Sequence, residues 1–183
     1  TEASESDDFS LRVFVGSRVA SISASAGSDP QALAARAVGM AKVAPEDPYQ
    51  SLADPELLAR SPRDLDLFDA TEVSSAALTQ AALAQEAAAL AVQGITNSGG
   101  SSASFGYGGI VLVTSQGFCG HYLASRFGRG VSVIAGEGTR MERDYEFSSR
   151  IHFNELEAPE SIGTKAGERA VRRLKPGSVK SGP

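Results

Sequence analysis

Two residues that could do chemistry stand close together: Cys119 and His121, the only cysteine and one of only two histidines in the chain. Two apart on a strand, they would share a face and could seed a thiolate–imidazole pair or a metal site. A structural zinc takes four ligands, however, and neither His152 nor the scattered carboxylates add a recognisable spacing. A small apolar thiol beside an ordinary surface histidine explains both residues more simply. Asp144 and Glu146 in "RDYEF" share a strand face, a weak basis for general acid–base work among 22 acidic residues. A phosphate loop needs glycines that leave a strand and open a helix. Here Gly106-Tyr107-Gly108-Gly109 leads into the strand-like "GIVLVTS", and no G-x-x-x-x-G-K-[ST] or G-x-S-x-G occurs. Nothing in the chain assembles a catalytic constellation.

What remains is polar and backbone recognition. Ser98 to Ser104 is so poor in side chains that a second chain could approach and pair with its amides and carbonyls. A flexible hairpin tip or a bulged edge strand would use the same residues. Arg143, Asp144 and Tyr145 in "RDYEFSSR", with Arg126 on a neighbouring predicted strand, are polar groups that could face a chamber holding such a chain. Ordinary exposed strand positions would also carry them.

The elements that must position these groups can be read in order. Phe9, Leu11, Val13 and Val15 alternate with Ser10, Arg12 and Phe14, and Gly16-Ser17 separates them from "RVASISAS", which predicts a hairpin with a type II′ turn. Asp29-Pro30 opens a helix with Leu33, Ala37, Met40 and Ala41 on one stripe, ending before Pro45. A proline-punctuated excursion runs to Thr71, with a helical turn predicted near 55–60. Ser74 to Val92 is an alanine-rich helix, with Leu83, Ala87 and Leu90 on one side. Strands are predicted at 95–105, 108–115, 118–127, 130–135 and 142–149, with turns at 106–109, 116–117 and 128–130. A last helix from Pro159 to about Leu174 turns Ile162, Ala166, Ala170 and Leu174 to the core. Strands joined by short turns make an antiparallel meander. The fold class is therefore α+β in two layers, an antiparallel sheet with helices packed on one face.

Composition sets the bounds. A chain of 183 residues can bury a core without staples. One cysteine excludes an internal disulfide framework. No run is long enough to cross a bilayer as a helix and no signal segment leads the chain, so the expected location is cytoplasmic. The net charge of −5 repels nucleic acid. The basic cluster Arg169, Arg172, Arg173, Lys175 and Lys180 reads as a solvated helix face with favourable charge at the helix C-terminus. "TEASESDD" and "KPGSVKSGP" at the two ends read as a disordered tail (1–8) and a linker (176–183), around a single domain at 9–175.

Several blocks in order, "DPYQSLADPELLAR" (47–60), "DLDLFDATEVS" (64–74), "ITNSGGSSAS" (95–104), "GGIVLVTSQGFCGHY" (108–122), "SVIAGEGTRMERDYEFSSR" (132–150) and "GERAVRRLKPGSVKSG" (167–182), resemble the N-terminal domain of the TldD/PmbA family, once called modulators of DNA gyrase. The match is nearer the PmbA (TldE) branch. The resemblance implies one subunit of a heterodimeric zinc metalloprotease acting on unfolded peptides. The zinc and its H-E-x-x-x-H ligands would lie in the TldD-type partner, with no cofactor in this chain. The start of the domain and a C-terminal domain would lie outside this chain. Other readings are a purely structural, partner-holding domain and a gyrase-binding module. The acidic balance argues against the second.

Overall fold

The computed structural model describes residues 1–61, 63–177 and 182. The chain folds as two compact units, residues 2–62 and the residues from 63 onward. The end of the basic cluster, Lys180, lies outside the described residues.

The first unit is a hairpin with one helix. β1 (Asp8–Val15) and β2 (Arg18–Ser25) pair antiparallel from Asp8↔Ser25 to Val15↔Arg18. Gly16 takes a positive φ of 62° while Ser17 does not, which is the geometry the glycine–serine pair predicts. α1 (Pro30–Val43) starts where expected, with the Asp29 carboxylate accepting from the Gln31 amide and proline at the first position. Ala37 and Ala41 are fully buried, whereas Met40, placed on the same stripe from sequence, is 41% exposed.

The second unit holds α2 (Ser75–Leu90), β3 (Ile95–Val113), β4 (Cys119–Ala135), β5 (Glu142–Arg150) and α3 (Pro159–Arg172). The three strands form one antiparallel sheet in the order β3-β4-β5. The helices lie on one face of it, over a core of Ala89, Val131, Val133, Ala135, Ile162, Ala166 and Ala170. The fold class is α+β, as expected. Five expected strands become three, because the chain runs straight through Gly106–Gly109 and Gly128–Gly130. None of those glycines has the positive φ that a turn would demand. The β3–β4 ladder instead pairs continuously from Ser101↔Val131 to Val113↔Cys119, and those long-range bonds override local turn propensity. Only the turn at Gly117 (φ 87°) is made, closed by Thr114 and Phe118.

α2 buries a different side from the one expected. Leu83 and Leu90 are 59% and 44% exposed, and the fully buried positions are Gln85 and Ala89. The reason is closeness of packing. α3 crosses α2 so tightly that a Cβ on Gly163 would sit 2.1 Å from the Gln85 carbonyl oxygen, and one on Gly167 2.6 Å from Val92. Only a face of small residues allows that approach. Gln85 reaches under the sheet, its amide nitrogen donating to the Ser102 and Gly130 carbonyls and the Ser101 hydroxyl.

Candidate functional site

The alternation of the three strands sorts the candidate residues onto two faces. On β5, Asp144 and Ser148 are buried on the helix side, while Arg143, Tyr145 and Phe147 are exposed on the open side. Arg126 and Arg143 are both on the open side, each donating from Nε to a serine hydroxyl, Ser149 at 3.0 Å and Ser132 at 2.8 Å. Neither has a carboxylate within ion-pair distance among the described residues. Tyr145 joins them, stacked on Phe147 with ring centroids 6.2 Å apart.

Asp144 does not share that face. It points at α3, as do Glu142 and Glu146, its neighbours two positions away on either side along the strand. Arg169 and Arg173, one helical turn apart, receive them. Glu146 meets Arg169 at 2.8 Å, Asp144 meets Arg173 at 3.3 Å and Arg169 at 3.8 Å, and Glu142 meets Arg173 at 3.7 Å. Burial alone would push the Asp144 carboxyl up. The Tyr145 amide and the two guanidinium groups outweigh it and hold the group below its usual value. The pair Asp144 and Glu146 thus shares a face, and its carboxylates lock sheet to helix through Arg169 and Arg173. Part of the basic cluster has the same use.

The floor of the open face is bare. Opposed pairs across β3 and β4 read Gly100↔Ser132, Ser102↔Gly130, Ser104↔Gly128, Gly106↔Arg126 and Gly108↔Ala124. A Cβ at Gly106 or Gly108 would meet nothing within 4 Å. Neither packing nor backbone angle requires glycine there, although glycine in a strand interior costs stability. Both line a recess of about 760 Å³ with Ile110, Tyr122, Arg126 and Ile151, formed where β5 stops opposite Phe127 and β4 runs on paired with β3. A smaller hollow of about 230 Å³ lies over Gly100, Ser102, Gly130, Tyr145 and Phe147. β3 is a bulged edge strand, with register shifts between Ile95 and Asn97 and between Ser98 and Gly100.

A network that the sequence did not disclose supports this face from below. Ser125, 3% exposed, accepts from the Asp69 amide and donates to the Ile151 carbonyl, while its own amide bonds to the Leu67 carbonyl. Asp69 in turn caps Thr71 and accepts from the Phe153 amide, hydrogen bonds that hold its carboxyl below the ordinary value. Phe127 is sandwiched between Phe105 and Phe153 at 5.2 and 5.4 Å. The segment 64–71 is thereby pinned at the end of the sheet.

Cys119 and His121 are both exposed, on adjacent same-face positions of β4. They gain no third donor: among the described residues no group of three His, Cys, Asp or Glu is placed to hold a metal ion.

A family model of the PmbA/TldA metallopeptidase central domain matches residues 68–174, which include the sheet, both helices over it and every open-face residue named above. This chain belongs to the PmbA/TldD family. The matched model is of a central domain, where the resemblance implied an N-terminal one. The metalloprotease PmbA of Escherichia coli O157:H7 is 38% identical over 151 residues, 80% of this chain and 34% of that protein. A metalloprotease PmbA homolog of Haemophilus influenzae is 36% identical over 76% of this chain and 31% of that protein. The chain thus spans about a third of the length of these relatives. A crystal structure from Bacteroides thetaiotaomicron, of a candidate modulator of DNA gyrase, is similar over 94% of this chain and 41% of its own, with TM-score 0.85 and 27% identity. TldE from Thermococcus kodakarensis shares the fold at TM-score 0.67 and 17% identity, over 87% of this chain and 36% of that one. The zinc that a metallopeptidase family implies does not fit the donors described here.

Proposed function

We propose that this chain is the peptide-handling, non-catalytic part of a PmbA/TldE-type subunit of a metal-dependent protease, whose zinc is held by a TldD-type partner. The observation that carries the reading is the open sheet face. Its floor carries Gly106 and Gly108, which its own packing does not require, its aromatic side chains stand clear, and its two arginines have no carboxylate partner among the described residues. An extended, unfolded peptide could lie close to such a floor, with its carbonyls and carboxylates answered by Arg126 and Arg143 and its side chains against Tyr145 and Phe147. Contacts of this kind tolerate many sequences. They hold and orient a substrate, and the bond-breaking chemistry is left to the partner.

The test is photo-crosslinking in the mixture with a TldD-type partner, with benzoylphenylalanine placed at position 145 and a denatured protein as substrate. Adducts at 145, reduced when Gly106 and Gly108 are changed to valine, support the reading. Adducts absent from 145 but present on the partner would leave this chain a structural, partner-holding role.

A further inference from the structure

β5 is an edge strand, paired with β4 along one side. The register shows which of its backbone groups are left over. The Ser125 amide bonds to the Leu67 carbonyl, so it leaves β4 on the side away from β3. Alternate residues of an antiparallel strand point the same way. Phe127, Arg129, Val131 and Val133 therefore bond across to their partners Arg150, Ser148, Glu146 and Asp144. Arg143, Tyr145, Phe147 and Ser149 are left to turn their amides and carbonyls outward. A row of that kind is a template for another strand.

Two of the outward amides are already taken. Asp144 Oδ1 accepts from the Tyr145 amide at 2.8 Å, and Glu146 Oε1 accepts from the Phe147 amide at 3.0 Å. The second oxygen of each carboxylate faces α3, Asp144 Oδ2 accepting from Arg173 at 3.3 Å and Glu146 Oε2 from Arg169 at 2.8 Å. At the end of the strand, Arg150 donates to the Ser149 carbonyl. We infer that Asp144 and Glu146 close the β5 edge to the addition of another extended chain, with Arg169 and Arg173 as positioning residues. The two acidic side chains are 11% and 20% exposed, so sheet and helix hold the carboxylates in place. An incoming strand brings carbonyl oxygens to the outward amides. Each carbonyl must displace a charge-assisted bond and then lie against a negative group. Inward-pointing charge is one of the ways a sheet edge is protected. The inference does not rest on the peptide-handling reading.

The test uses the 183-residue chain and a fluorescein-labelled peptide of alternating threonine and valine. The double replacement Asp144→Thr, Glu146→Thr keeps strand propensity and frees both amides. It should tighten peptide binding by about tenfold or more in fluorescence anisotropy. In that variant the Tyr145 and Phe147 amides should exchange rapidly and be slowed by the peptide. Glu142→Thr is the control. Glu142 meets Arg173 at 3.7 Å but accepts from no backbone amide among the described residues, so binding should stay at the wild-type level. Circular dichroism checks that the variants fold. A second readout needs no variant. Burial pushes the Asp144 carboxyl up, but the Tyr145 amide, Arg173 and Arg169 outweigh it and hold the group below 3.8. The wild-type Tyr145 amide proton resonance should therefore move only below that pH, as the carboxyl takes up its proton. An unchanged affinity in the double variant overturns the inference. So does an equal gain from Glu142→Thr, which would make charge alone the barrier, or a Tyr145 resonance indifferent to acid.

Discussion

Replacing Gly163 with alanine should destabilise the protein, against the usual effect of that change in a helix. At an open helical position, glycine to alanine contributes about 1 kcal/mol of stability through backbone entropy. At Gly163 the new Cβ would lie 2.1 Å from the Gln85 carbonyl oxygen and 2.9 Å from both the Ala88 Cβ and the Ala89 nitrogen. The nearest obstacle is backbone and cannot rotate away, so α3 must withdraw from α2 and from the core that Ile162, Ala166 and Ala170 share with β4. Overpacking of this kind costs about 1–3 kcal/mol, and contact with backbone puts Gly163 at the upper end. After the propensity gain, a net loss of roughly 2 kcal/mol is expected. Gly39 on α1 is the control. Nothing lies within 4 Å of its Cβ position, and its φ is not positive, so Gly39→Ala should stabilise its helix by about 0.5–1 kcal/mol. The two glycines belong to different compact units, so native-state hydrogen exchange, which reads each helix separately, is the assay. A Gly163→Ala protein whose α3 amides exchange no faster than wild type would refute the packing argument.

Other consequences follow from the same geometry. Ser125→Ala removes the hydroxyl shared by the Asp69 amide and the Ile151 carbonyl and should cost about 1–3 kcal/mol in urea unfolding. Its amides at 67–71 should lose exchange protection first. Because the Asp144 carboxyl is held below its ordinary value of 3.8, its contribution is complete above that pH and is lost as pH falls through the lowered value. Asp144→Asn should therefore be less stable than wild type at neutral pH, and the gap should close in acid. A gap independent of pH would show that the ion pairs with Arg169 and Arg173 contribute nothing.

Sequence pattern was most informative where local chemistry alone decides the outcome. Gly16-Ser17 fixes a hairpin turn, Asp29-Pro30 starts a helix, and the stripe Ile162, Ala166, Ala170 announces the buried side of α3. It misled where long-range pairing competes with local propensity. Gly106–Gly109 and Gly128–Gly130 looked like turns because glycine is common in turns. In the fold they are extended, and they leave the open face bare. The leucines of α2 looked like its core side because they are large, yet a helix crossing at glycine distance selects small residues instead. Of the four candidate contacts, alternation alone could have separated Asp144 from Arg143 and Tyr145. The Ser125–Asp69 network was illegible, since it joins a serine to a backbone amide 56 residues away.

The most direct test of the central claim is peptide cleavage by the full-length subunit, alone and mixed with a TldD-type partner, on an unstructured peptide with and without a chelator. Cleavage is expected only in the mixture, abolished by the chelator and slowed when Gly106 and Gly108 are changed to valine. Chelator-sensitive cleavage by the subunit alone would contradict that claim.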